Sequence, residues 1–153
     1  MPHVTEAVIR QATAQDLGAL LELEQAAPTA AHWSRAHYAQ ILQGESPRRL
    51  CLLAEKGGLA GFVIAQISGP EWELENVVVQ AASRRRGYGK LLLQALTDQA
   101  RRQEATAILL EVRASNAPAR ALYESCGFKQ MGLRRLYYRE PEEDAIIYMY
   151  HIR

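Results

Sequence analysis

Hydrophobic and polar positions recur along this chain with two periods, near two and near 3.6 residues, and the switches between them outline the elements. Val4 to Gln11 suits a first strand. Thr13 then offers an N-cap, with Asp16 three residues on, and Leu17, Leu20 and Leu21 follow at helical spacing. Pro28 ends that helical region. A second helix is expected from Ser34, where Trp33 before the cap and Tyr38 at the fourth helical position are placed for a hydrophobic staple. Tyr38, Ile41 and Leu42 form its apolar stripe and Gly44 its stop.

The middle of the chain is strand-rich. RRLCLLAE and LAGFVIAQIS are separated by Lys56, Gly57 and Gly58, a hairpin signal. WELENVVVQ alternates at first and then runs apolar through Val77, Val78 and Val79, which predicts a strand buried on both faces. Tyr88, Leu91, Leu92, Ala95, Leu96 and Ala100 share one helical face. TAILLEVRA reads as another buried strand. Asn116, with Pro118 just inside, opens a short helix that Gly127 closes. RRLYYRE and AIIYMYHI, joined by Pro141, Glu142, Glu143 and Asp144, read as a closing hairpin. The order β-α-α-β-β-β-α-β-α-β-β predicts a mixed α/β (α+β) fold, a largely antiparallel sheet flanked by helices.

Composition narrows the function more than the fold. A chain of 153 residues suggests a single domain, 1–153, large enough for a core without staples. Its formal charge of +1 argues against a broad nucleic-acid surface. Cys51 and Cys126 offer neither a disulfide framework nor metal-ligand spacing, so no metal is expected. With no apolar run of signal-peptide or membrane-spanning length, a cytoplasmic protein without a membrane partner is expected.

Candidate chemistry begins at SRRRGYGKLLLQAL. A glycine-containing turn after a buried strand, at a helix N-terminus, aims free backbone N–H groups and the positive end of the helix dipole at one point. Glycines there let an anionic ligand approach closely. The spacing matches neither G-x-x-x-x-G-K-[ST] nor G-x-G-x-x-G, which excludes those two nucleotide loops. A solvated basic turn is the plainer alternative. Glu111 raises a second question, because it ends an apolar strand run and a carboxylate buried without a partner is costly. Its plainer explanation is a salt bridge to Arg113 or to another arginine near the sheet edge.

Arg84-Arg85-Arg86-Gly87-Tyr88-Gly89 resembles the pyrophosphate-binding motif [QR]-x-x-G-x-[GA] of the GNAT superfamily, the acyl-CoA-dependent N-acetyltransferases. LEVRASNAPARALYESCGF, from Leu110 to Phe128, is similar to the matching segment of RimI-type enzymes, as are HWS at 32–34, RRLYY and EDAIIYM. That subfamily acetylates the N-terminal alanine of a small-subunit ribosomal protein.

The resemblance implies acetyl-CoA as donor, bound by the backbone of Val77, Val78 and Val79, by Arg84, Arg85, Arg86, Gly87, Tyr88, Gly89 and Lys90 at the turn, and by Asn116. It implies Glu111 as general base and Tyr123 as the acid that protonates the departing thiolate. Glu24, Trp33, Tyr137 and Tyr138 would line the groove for the acceptor, a protein N-terminus. Transfer would be direct, with Cys126 in the core, and the enzyme a monomer or weak dimer. Still open are a GNAT acting on lysines or small amines, a non-catalytic CoA-binding regulatory module, and an RNA-binding patch on the arginine turn.

Overall fold

Local signals set the element boundaries. A computed structural model describes residues 7–27, 32–44, 48–84 and 87–152; Pro28, Arg85, Arg86 and the first half of the expected opening strand lie outside them. Thr13 and Asp16 form the expected capping box around a short 3-10 turn that leads into α1 (Leu17–Ala26). Ser34 accepts a hydrogen bond from the His37 N–H and opens α2 (Arg35–Leu42), with Trp33 packed on Tyr38. Gly87, in the left-handed region at φ 83°, begins α3 (Tyr88–Arg102). Asn116 caps α4 (Ala117–Ser125) by accepting from the Ala119 N–H.

The strands are β1 (Val8–Gln11), β2 (Arg49–Glu55), β3 (Leu59–Gln66), β4 (Glu71–Val79), β5 (Ala107–Arg113), β6 (Lys129–Tyr138) and β7 (Glu143–His151). They form one seven-stranded sheet in the order β1-β2-β3-β4-β5-β7-β6. The element order and the mixed, largely antiparallel sheet are as the sequence predicts. Glu143 and Asp144 belong to β7 rather than to the final turn, because both lie in its register against β6 and β5.

Each face of the sheet carries its own core. Leu92, Leu93, Leu96 and Ala100 of α3 pack on Leu50, Leu52, Val63, Trp72 and Ile108. On the other face α1 and α2 set Leu20, Leu23, Tyr38 and Ile41 against Cys51, Phe62, Ile64 and Val78. The α3 stripe is rotated from the expected one: Leu93 and Thr97 are buried, while Leu91 and Ala95 are only partly covered at its flank. Contact with a flat sheet widens the buried face toward the sheet's centre line.

Two irregularities in β4 prepare the site. A bulge at Glu75 interrupts its pairing with β3 between Leu74 and Asn76. One extra residue reverses the facing of everything after it. Trp72 and Leu74 therefore point into the α3-side core, Asn76 and Val78 toward α1 and α2, and Val77 and Val79 back toward α3. The expected burial on both faces is met in part: Val78 is buried in one core, while Val77 and Val79 are partly buried at the edge of the other.

The second irregularity is a parting of strands. β4 pairs with β5, in parallel, only through Glu71, Trp72 and Glu73. Beyond Glu73, β4 follows β3 as far as Val79 and β5 follows β7 as far as Arg113. A wedge opens in the middle of the sheet.

Candidate active site

The wedge leads into a cleft of about 750 Å3 between β4, α3 and α4. Its walls bring together Val77, Val78, Val79, Arg84, Gly87, Tyr88, Gly89, Lys90, Asn116 and Tyr123, which the sequence scatters over 47 positions. Along β4 the backbone alternates. The Gln80 N–H donates to the Ala60 carbonyl on the β3 side, so Val78 also faces β3 and the N–H and C=O groups of Val77 and Val79 face the wedge. The Val79 carbonyl already accepts there from Arg84 Nε at 3.4 Å.

At the far end of the cleft α3 presents its N-terminus. Among the described residues the Leu91 N–H is the first of α3 to close a helical bond, on the Gly87 carbonyl, and a helix start offers its first N–H groups to a ligand. Arg84 and Lys90 are exposed beside them, whereas the Tyr88 ring is core and only its backbone faces the turn. The glycines serve the fold first. Gly87 supplies the left-handed turn, and a Cβ on Gly89 would stand 3.0 Å from Leu122 Cδ2 of α4, so its bareness lets the two helices meet. Donors and cations at one end, with a strand edge leading away, suit an extended ligand with an anionic head.

Tyr123 enters the cleft from α4, half-buried between Phe128 and Tyr148. Burial, then Tyr138, pushes its phenol well above the ordinary tyrosine value, so it keeps its proton at neutral pH. A side-chain cluster fixes the helix that carries it. Arg120 Nε donates to the Tyr148 hydroxyl at 3.0 Å, and that hydroxyl donates to Glu124 Oε2 at 2.7 Å. Arg120 also ties the Ala114 carbonyl at the end of β5. Cys126 packs at the edge of the same core, and burial raises its thiol, which makes it a poor nucleophile at neutral pH.

Glu111 lies on the opposite face of β5, pointing to the side of the sheet that α1 and α2 cover. Arg113 is occupied elsewhere, with Glu143 and the carbonyls of Arg139 and Pro141. The cation near Glu111 is Arg134 of β6, whose Nε is 3.2 Å from Glu111 Oε2. That approach is close enough for charge attraction but misaligned for a hydrogen bond, and Oε2 is shielded from solvent with no hydrogen-bond partner. Glu73 shares this face and feels the charges of Glu75 and Glu111, which together with burial raise its carboxyl. Glu75 is neutralised by Arg49 at 2.6 Å.

Tyr138 sits between the two sides. Its ring lies under the Arg113 guanidinium, 4.5 Å from the centroid, and burial with the nearby Glu111 charge pushes its phenol up to about 12. Tyr137 is 46% exposed and stacks with Arg134. Trp33 is half-buried against His37 and Tyr38. Glu24 differs from the sequence expectation. Its carboxylate is 2% exposed and accepts from the Trp33 N–H at 2.8 Å, so it faces the interior rather than a groove.

Sequence reasoning missed Arg134, the Arg120–Tyr148–Glu124 cluster and Asn76. For the bulge a signal existed: the apolar phase slips from Trp72 and Leu74 to Val77 and Val79. The partners of Tyr148 and Glu111 left none, being tens of residues away or on a different strand.

Comparison with known proteins agrees with this architecture. The model of the acetyltransferase (GNAT) family matches residues 17–128. The [ribosomal protein bS18]-alanine N-acetyltransferase of Escherichia coli K12 is 41% identical over 134 residues, 86% of this chain and 88% of that protein. The crystal structure of the ribosomal-protein-S18-alanine N-acetyltransferase from Escherichia coli superposes with a TM-score of 0.82 at 36% identity, covering 95% of this chain and 94% of that one. A ribosomal-protein-alanine N-acetyltransferase from Brucella melitensis gives a TM-score of 0.82 at 27% identity, over 94% and 99%. The chain belongs to the GNAT family of acetyltransferases.

Proposed function

We propose that this chain transfers an acetyl group from acetyl-CoA directly to the N-terminal α-amine of a protein, an alanine of ribosomal protein bS18. The observation that carries the reading is the wedge itself. It parts β4 from β5 beside a cleft suited to a long anionic donor, and Glu111 of β5, which does not line that cleft, carries its carboxylate on the other face beside Arg134. Likeness to the bS18-alanine acetyltransferases over most of the chain supports the choice of acceptor.

Acetyl-CoA supplies the activated acyl group. The free amides at the start of α3, with Arg84 and Lys90, hold its phosphates, and Arg85 and Arg86 add charge to the same turn. Asn116 and the outward backbone groups of Val77 and Val79 align the arm, and an N–H of that strand edge stabilises the developing oxyanion. Glu111, on the acceptor side, takes the proton from the incoming ammonium. Tyr123 supplies one to the departing thiolate.

Amine basicity favours an α-amine. A peptide N-terminus titrates near 7.7–8.0 and lysine near 10.4, a difference of roughly 3.5 kcal/mol in deprotonation cost. Trp33, Tyr137 and Tyr138 border the acceptor's path. The domain spans residues 1–153, requires no metal, and works in the cytoplasm as a monomer or weak dimer without direct nucleic-acid contact. Among the described residues no cluster of His, Cys, Asp and Glu could hold a metal ion, and no helix is long and apolar enough to cross a membrane.

The test is release of free thiol from acetyl-CoA across peptides that differ only in their first residue. Preference for an alanine start, with the product acetylated at its α-amine, is expected. Faster transfer to an internal lysine or a polyamine would overturn the choice of acceptor.

A further inference from the structure

The search for unused chemistry leads to the core beneath α1 and α2. Three polar or charged side chains are buried among the described residues: Glu24, Asn76 and Thr97. Thr97 returns its hydroxyl to the Gln94 carbonyl of its own helix. The other two belong to one polar cluster. Asn76 Nδ2 donates to the Tyr38 hydroxyl at 3.0 Å, the Glu24 carboxylate lies near that hydroxyl, and Glu24 Oε1 accepts from the Trp33 N–H at 2.8 Å. His32, held at φ 58°, brings Nδ1 to 3.7 Å from the other carboxylate oxygen.

This arrangement is costly where it stands. Its surroundings are Leu20, Leu23, Ile41, Phe62, Ile64 and Val78. Burying a carboxylate among them is unfavourable unless every acceptor is used, and an apolar trio would hold three elements together more simply. What an apolar trio cannot do is grip a backbone N–H at a chosen place. The cluster begins on β4 directly after the bulge, one residue before Val77, and ends on the backbone where the connection from α1 reaches α2.

We infer that Glu24, Tyr38 and Asn76 are positioning residues for the acceptor: they hold the Trp33 backbone, one wall of the acceptor's path, at a set distance from the bulged strand β4. The inference rests on the acceptor path assigned above. None of the three need touch either substrate. Glu24 fixes the wall from α1, and Tyr38, by accepting from Asn76, ties α2 behind that wall to the strand edge that aligns the donor.

Three variants test this. Tyr38→Phe keeps the ring contacts with Trp33 and Phe62 and removes only the hydroxyl. Glu24→Leu removes the acceptor oxygens, and Glu24→Gln keeps one. The expected result is a rise of about tenfold in KM for an alanine-starting peptide in Tyr38→Phe and Glu24→Leu, with KM for acetyl-CoA within about twofold of the parent and recovery in Glu24→Gln. An unchanged peptide KM, or an equal rise for acetyl-CoA, would overturn the positioning role.

Amide hydrogen exchange gives a reading that needs no turnover. The Trp33 amide is expected to exchange about tenfold faster in Glu24→Leu while Leu91, on α3, keeps its protection. Unaltered exchange at Trp33 would sink the inference even if the enzyme is active. Absence of transfer by the parent protein would instead count against the proposed function, and the exchange comparison would still decide whether these bonds order Trp33.

Discussion

The donor and acceptor sides of the β4–β5 wedge are built by different means. The proposed donor side is mainly backbone: strand-edge groups of Val77 and Val79, amides of the first turn of α3, and a left-handed Gly87 that sets the turn. The acceptor side is made of side chains from distant segments, with Glu111 beside Arg134 and Tyr138 placed under Arg113. A backbone site tolerates side-chain change as long as the chain keeps its path. A side-chain site depends on single atoms.

That contrast can be broken at several points. The largest effect is expected for Glu111→Gln, which removes the proposed base while keeping the shape. A fall in kcat/KM of about 10²–10³-fold should appear with the affinity for acetyl-CoA, measured by calorimetry, unchanged. Weaker acetyl-CoA binding would show that the two sides are not separable.

Next comes Tyr148→Phe, which removes two hydrogen bonds from the support of α4. A loss of about 1–2 kcal/mol in urea unfolding is expected, with kcat down several-fold because Tyr123 loses its fixed position. In a Tyr123→Phe background the kinetic part should vanish, since both changes act through one phenol. A full additional loss there would mean that Tyr148 acts by another route.

Gly87→Ala should act on the donor side alone. Forcing a Cβ into the left-handed region costs about 1 kcal/mol. A several-fold weaker affinity for CoA is expected, with KM for the peptide unmoved. Equal weakening of both would again erase the distinction.

The smallest effect lies away from both sides. Asp16 is held down to about 2, first by its hydrogen bond with Arg10, against an ordinary value near 4. A lowered carboxyl contributes stability above its unfolded value and loses it as pH falls through the folded one. Asp16→Asn should therefore cost about 1 kcal/mol at pH 7, a modest figure because Arg10 is about one-third exposed. The gap between variant and parent should close as pH drops from about 4 toward 2. Matched losses at both sites in this variant would be unexpected.

The legibility of the molecule follows the same division. Caps at Thr13, Ser34 and Asn116, the turn at Gly87 and the order of elements are short-range, and each is written within a few residues of where it acts. The Val77–Val79 run was legible as a strand but its facing was not, because a bulge at Glu75 reverses the alternation and appears in sequence only as a slipped phase. Glu24 shows the limit most plainly. A glutamate beside a groove and a glutamate beneath it read alike, and only packing turned its carboxylate onto the Trp33 N–H.

By itself the sequence determined the elements, their order and the donor-side turn, because propensity, capping and hydrophobic period act over one to four residues. Tertiary structure alone decided how far β4 and β5 part, which arginine stands beside Glu111, and which carboxylate is buried. Those outcomes depend on sheet register and on partners from nine to more than twenty residues apart, and the chain's local pattern carries no record of them.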